Sequence, residues 1–161
     1  MARARTRLTK ALDQPVYVVT GRGPDGEPQG CLVGFATQTS IHPTRFLVCV
    51  SRRNRTFSAA TSATALAVHV LGRAHAPVAR LFGGTTGDEV DKFARCDWEE
   101  GPGGVPLLRD CAGWMCGPVV ARVDVGDHLG VLIAPSRARD GDVGGQLTVH
   151  DLDDLEPGHS P

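Results

Sequence analysis

The chain has 161 residues, 41% of them hydrophobic and 22% charged, with a formal net charge of -1. That length suits one domain around one core, and the near-neutral balance leaves no general attraction to nucleic acid. No run approaches the ~18 apolar residues of a membrane span, and the basic start meets Asp13, Gln14 and Pro15 instead of an apolar leader, so a cytoplasmic location is expected.

Arg3, Arg5, Arg7 and Lys10 lie in a basic segment at 1–14, and Asp151, Asp153, Asp154 and Glu156 in an acidic tail at 151–161. Both read as solvated ends flanking a domain at 15–150. Between them, Val16, Val18 and Val19 predict a β-strand over 15–20 that stops at Gly21-Arg-Gly-Pro-Asp-Gly26. A second apolar segment at 30–37 completes a hairpin with a longer loop than the tightest type. Phe46-Leu-Val-Cys-Val50 has the length of a strand buried on both faces. Asn54 or Thr56 caps a short helix through Phe57, Ala59 and Ala60. Residues 65–71 return to strand, with Leu66, Val68 and Val70 on one face and Ala67 and His69 on the other. His69 reads there as a hydrogen-bonded sheet residue. Helical spacing covers 77–82, ended by Gly83-Gly84, and a second helical piece runs over 88–94. A loop at 101–106 precedes strand-like segments at 114–125 and 130–134. Strands dominate, with helices inserted between them, which favours a barrel over a doubly wound parallel sheet.

Gly83-Gly-Thr-Thr-Gly87 lacks the Lys-Ser/Thr ending of a phosphate loop, and no GxGxxG follows a strand and opens a helix. Five cysteines without a CxxC pair read as reduced and mostly buried, and no histidine stands near Cys111 and Cys116 to complete a metal site. Two stretches are locally unusual. Gly34-Phe-Ala-Thr-Gln-Thr-Ser40 passes from a strand into small hydroxylated residues. Ser51-Arg-Arg-Asn-Arg-Thr56 joins the end of a buried strand to the start of a helix, where free backbone N–H groups beside arginines suit an anion. The plain alternative is a capped helix with solvated arginines.

Taken in order, Gly30-Cys-Leu-Val-Gly-Phe-Ala-Thr-Gln-Thr-Ser-Ile-His-Pro43, Phe46-Leu-Val-Cys-Val-Ser-Arg-Arg-Asn-Arg-Thr56, Leu66-Ala-Val-His-Val-Leu71, Asp91-Lys-Phe93 and Gly126-Asp-His128 resemble the flavin reductases of the FMN-binding split-barrel family. The resemblance implies a mainly β fold with helical insertions, a six-stranded split barrel with Greek-key connections, and a homodimer whose interface helps enclose the flavin. It implies hydride transfer from NADH or NADPH to FMN or FAD, the reduced flavin often passing to a partner flavin-dependent monooxygenase, with the flavin carrying the difficult chemistry. Carried over by position, Gly34, Phe35, Ala36 and Thr37 flank the isoalloxazine, and Thr39 and Ser40 lie nearer the ribityl chain. Ser51, Asn54, Arg55 and Thr56 hold the phosphate. Lys92 and Phe93 match a pair that approaches the flavin, or are an exposed charge beside a core aromatic. His128 matches a histidine near the nicotinamide site, or is a turn residue satisfying backbone groups. Many relatives carry serines where Gly34 and Phe35 stand, and Asp where His42 stands. The same barrel also suits a different class of function, an FMN-binding electron carrier that does not oxidise NAD(P)H directly.

Overall fold

The computed structural model describes residues 7–84, 90–156 and 158. A short helix α1 (Arg7–Ala11), with no buried residue, leads into a hairpin of β1 (Tyr17–Arg22) and β2 (Pro28–Val33). Gly21 is within β1, not the turn, and the loop is tighter than the sequence suggested, closing at Gly26, whose φ of 79° favours glycine. The second apolar segment divides at Gly34-Phe35, beyond which β3 (Ala36–Ser40) begins. β4 (Arg45–Ser51), α2 (Phe57–Ser62) and β5 (Ala65–Val70) follow, then α3 (Ala76–Gly84). The loop expected at 101–106 is the turn between two short strands, β6 (Trp98–Glu100) and β7 (Pro106–Leu108). β8 (Gly113–Asp124), β9 (His128–Ile133) and β10 (Arg137–Arg139) complete the sheet.

The main sheet is antiparallel in the order β2-β1-β5-β8-β9-β4-β3, with β10 added beside β8. Its two ends, β2 and β3, are consecutive in the chain and separated only by Gly34-Phe35. One bent strand therefore closes the barrel, and counted so, six strands surround the core. The Phe35 carbonyl accepts from the Cys49 amide at 2.9 Å and holds the bend to β4. The split lies in β8: residues up to Pro118 pair with β5, those from Val119 with β9, and the register shifts between Val119 and Ala121. At this changeover a Cβ on Gly117 would overlap the Ala134 carbonyl, so only glycine permits the approach. The connection from β4 through α2 to β5 jumps across the order, the non-neighbour step of a Greek key.

Alternation sorts side chains between two cores. Val19, Val48, Val50, Leu66, Val68, Val131 and Ile133 fill the barrel, where Ala59 and Ala60 of α2 also pack. Val16, Val18, Leu71, Phe82 and Phe93 form a second cluster with α3 outside it. Both faces of β1 are covered, so its burial is unbroken from Tyr17 to Gly21 instead of alternating. His69 meets its expectation. Its Nδ1 lies 2.9 Å from the Val18 carbonyl and its Nε2 accepts from the Leu108 amide at 3.0 Å, so the proton sits on Nδ1.

Several expectations change. Of the helix placed over 88–94, residues 88 and 89 lie outside the described residues, as do 85–87 of the glycine-rich stretch. Lys92–Ala94 form a 3-10 turn whose first amides donate to the Asp91 carboxylate. The acidic stretch after His150 is not merely solvated: Leu152 is buried in the second cluster and Leu155 packs against it. The five cysteines are free thiols, with Cys31, Cys111 and Cys116 buried and Cys49 and Cys96 half-buried. Among the described residues no helix is long and apolar enough to cross a membrane, and no group of side chains is arranged to hold a metal ion.

Candidate functional site

The bend that closes the barrel exposes Phe35, 55% accessible despite its size, with its ring centroid 5.2 Å from that of His128. Gly34 and Ala36 flank it and are half-buried, Ala36 packing onto the barrel core. β3 pairs with β4 on one side only. Thr37 and Thr39 are exposed along it, and Ser40 is half-buried beyond a bulge. Edge strands carry backbone groups that a ligand can reach.

His128 opens β9 instead of sitting in the turn, paired across the ladder with Ser51 of β4. Its Nδ1 is 2.6 Å from Oδ1 of Asp127, whose carboxyl is held below the ordinary range by that hydrogen bond and by the imidazole's charge. Phe35, Ser51 and His128 thus meet at one end of the barrel.

From Ser51 the chain turns toward α2, and here the expectation of free backbone donors fails. The amide of Arg53 donates to the Ser51 hydroxyl at 3.3 Å and that of Asn54 to the Ser51 carbonyl at 3.1 Å. Asn54 is not the helix cap: it stands two residues before the cap position, and its side-chain oxygen accepts from the Thr56 amide at 2.9 Å. Thr56 occupies the cap position with helical angles and no side-chain capping bond, and its buried hydroxyl lies against the Cys31 thiol. Arg52 is committed too, to Asp124 at 3.0 Å and the Gly126 carbonyl at 3.0 Å. At six residues, α2 brings little dipole. What this segment offers an anion is side chains, the guanidinium groups of Arg53 and Arg55 and its hydroxyls, and not free backbone amides.

Arg55 and Thr56 line a cleft of about 360 Å³ with Gln29 and Gly30 of β2 and with Asp91, Lys92 and Phe93. Lys92 is not the exposed charge of the bland alternative. Its ammonium is buried, donating to the Phe82 carbonyl at 3.0 Å and the Gly30 carbonyl at 3.4 Å, and burial draws its pKa down. Phe93 is the core aromatic, edge-on to Phe82 and Trp98. The two halves of the candidate site are distinct. The cleft reaches along β2 as far as Gly30, and the Phe35 bend lies beyond the end of that strand, about 16 Å further along the chain at ~3.3 Å per residue. Residues 51–56 run from one half to the other, starting beside His128 and ending in the cleft wall.

Sequence reasoning missed Asp127, Asp91 and Arg122. The first two stand beside residues it did single out, and their carboxylates fix those neighbours locally. Arg122, from the exposed half of β8, donates to the Ala60 carbonyl at 2.7 Å and the Ala63 carbonyl at 2.6 Å, closing the C-terminal end of α2. No local pattern announces a contact made across some sixty positions.

Comparison with known proteins agrees with this fold. Residues 9–148 match the model of the flavin reductase like domain. The chain is 31% identical over 127 residues to the stachydrine N-demethylase reductase subunit of Rhizobium meliloti, covering 79% of this chain and 54% of that protein. It is 34% identical over 125 residues to an FMN reductase (NADH) of Methylorubrum extorquens, covering 78% and 58%. It thus spans little more than half the length of these curated relatives. An NADH:FAD oxidoreductase of Streptomyces globisporus superposes with a TM-score of 0.77 at 26% identity, over 88% of this chain and 83% of that one. The chain belongs to the flavin reductase-like domain family.

Proposed function

We propose that this chain is an NAD(P)H-dependent flavin reductase that passes a hydride from NADH or NADPH to FMN or FAD. The observation that carries the reading is the continuity of residues 51–56, which join the Phe35–His128 ring pair to the Arg55 cleft. A flavin has the same layout, a flat ring system joined by a chain to a phosphate. The bound flavin accepts two electrons and a proton equivalent at its ring. The protein's part is to bind and orient. Arg55 holds the phosphate, residues 51–56 border the chain between, and Phe35 packs on the ring, with Gly34 and Ala36 admitting close approach. Thr37, Thr39 and Ser40 lie on the far side of Phe35 from the cleft and border the outer edge of the ring instead of the ribityl chain. Ser51 and Asn54 shape the loop, and Lys92 and Phe93 form the cleft floor. His128, oriented by Asp127, faces the nicotinamide and balances charge as hydride moves. Residues 15–150 form the flavin-binding unit between the two terminal segments.

The working form is a homodimer. Phe46, Val48, Val131 and Ile133 point into the barrel, so their neighbours Leu47, Cys49 and Leu132 point outward, beside Ala121 and Val123 of β8. A Cβ on Gly130 would press on both Val123 and Leu47, which places those side chains over one patch. Thr37 pairs with Leu47 and adjoins the patch, so a second copy there also walls the flavin site. A flavin-dependent monooxygenase in the cytoplasm is the partner this product suits. Following the nicotinamide absorbance band with each flavin and each nicotinamide tests the reading. The expected outcome is oxidation that requires flavin. A yellow protein reduced by dithionite but by neither nicotinamide would identify an electron carrier instead.

A further inference from the structure

The turn that carries Asp127 and His128 does little to hold itself. It spans residues 124–128 between β8 and β9. Its Val125 amide reaches the His128 carbonyl only at 3.4 Å, and its Gly126 amide donates to Asp124 Oδ1 at 3.0 Å. Gly126 has a φ of 119°, so a side chain there would be strained. What fixes the turn comes from Arg52, at the start of the loop that leads to the cleft. The Arg52 amide donates to the Asp127 carbonyl at 3.1 Å and its Nε to the Gly126 carbonyl at 3.0 Å, while Nη2 pairs at 3.0 Å with Asp124 Oδ1, the same oxygen that takes the Gly126 amide. One arginine thus grips three of the four residues ahead of His128. The Phe57 ring, its centroid 5.6 Å from the guanidinium, backs the arginine on α2.

The dependence runs one way. Loop 51–56 has bonds of its own, from the Arg53 amide to the Ser51 hydroxyl, the Asn54 amide to the Ser51 carbonyl and the Thr56 amide to the Asn54 side chain, so it keeps its shape without the Arg52 side chain. The turn is braced through Asp124, which Arg52 holds. With the Arg52 and Asp124 side chains 39% and 76% exposed, their ion pair contributes little to stability. Its consequence is geometric, and a displacement of about 1 Å at a reacting centre costs up to ~100-fold in rate. We propose that Arg52 is a positioning residue for hydride transfer, which through the 124–128 turn sets His128 against the nicotinamide while binding neither ligand itself. The kinetic consequence rests on the flavin reductase reading; the placement of His128 by Arg52 does not.

Arg52→Ala in the full chain tests this by two readouts. With no ligand present, the His128 ring signals are expected to shift in the NMR spectrum and the Gly126 amide to exchange with solvent at least tenfold faster. With FMN and NADH, kcat/KM for NADH is expected to fall at least tenfold, chiefly through KM, while the Kd for FMN stays within twofold. Arg52→Lys restores only part, because an ammonium does not fork to two acceptors. Asp124→Ala is expected to reproduce the loss, and the double variant to be no worse than the worse single one, since the two side chains act as a unit. Unaltered His128 signals and Gly126 exchange in Arg52→Ala, or losses that add in the double variant, would overturn the proposal. So would a tenfold loss of FMN affinity, which would make Arg52 a flavin contact. If the parent protein oxidises no nicotinamide with any flavin, the reductase reading fails and the ligand-free readout still decides whether Arg52 places His128. If the parent reduces flavin and Arg52→Ala does so equally well, this inference alone fails.

Discussion

Arg55 and Arg52 stand three positions apart with different work. Arg52 is spent on Asp124 and the Gly126 carbonyl, and its guanidinium also lies over the Phe57 ring, whereas Arg55 lines the cleft. A charge-assisted hydrogen bond to phosphate contributes about 1.5–3 kcal/mol. Arg55→Ala is therefore expected to weaken FMN roughly 10- to 100-fold in a fluorescence titration. Unchanged affinity would remove Arg55 from the phosphate site. His128 and Asp127 call for a kinetic readout. Asp127→Asn keeps the shape but replaces the carboxylate that holds the His128 ring at Nδ1. The expected result is a lower kcat/KM for the nicotinamide, with flavin affinity preserved. A loss of flavin affinity with kcat/KM for the nicotinamide unchanged would assign the pair to flavin binding.

At the scale of elements, α2 depends on its neighbours. Six residues are too few for a helix to persist alone, and its last carbonyls are taken by Arg122. Arg122→Ala is expected to destabilise the protein by about 1–3 kcal/mol in denaturant unfolding and to loosen the segment carrying Thr56. Arg122→Lys restores only part, because an ammonium cannot fork to two carbonyls as guanidinium does. This contact also shows which information was local. The strands were legible because apolar and β-branched runs at β1, β4, β5 and β9 follow from facing a core, although β4, expected to be buried on both faces, alternates. Residues 114–125 read as one strand-like segment, but the change of partner at Val119 depends on which strands lie on either side. Of the candidate site, Arg55 was singled out by its place beside a helix start and Phe35 and His128 by the family resemblance, while the satisfied amides of 52–54 and 56–58 and the buried ammonium of Lys92 are settled by tertiary contacts.

At the scale of the whole molecule, the proposed contact between copies and a junction within the chain each make a testable demand. The outward patch of Leu47, Leu132 and Val123 carries the dimer reading, and a lysine in place of Leu132 puts an unpaired charge at its centre. Sedimentation is expected to show Leu132→Lys as a monomer with weakened flavin binding; an unaltered dimer would move the interface elsewhere. Within the chain, His69 ties three strands together, since β5 carries it, β1 supplies the Val18 carbonyl and β7 the Leu108 amide. Burial pushes its pKa down to about 4, against about 6.5 in an unfolded chain. Between these values the unfolded state binds the proton and the folded state does not. The stabilisation is therefore complete above about pH 6.5 and is lost as pH falls toward 4, with a slope of up to ~1.4 kcal/mol per pH unit. His69→Gln can still donate to the one carbonyl and accept from the one amide but does not titrate. Urea midpoints measured from pH 7 to 4.5 are expected to fall more steeply in the parent protein than in His69→Gln. Parallel curves would show that other groups, not the neutral histidine at the junction of the barrel and the outer cluster, set the acid limit of this fold.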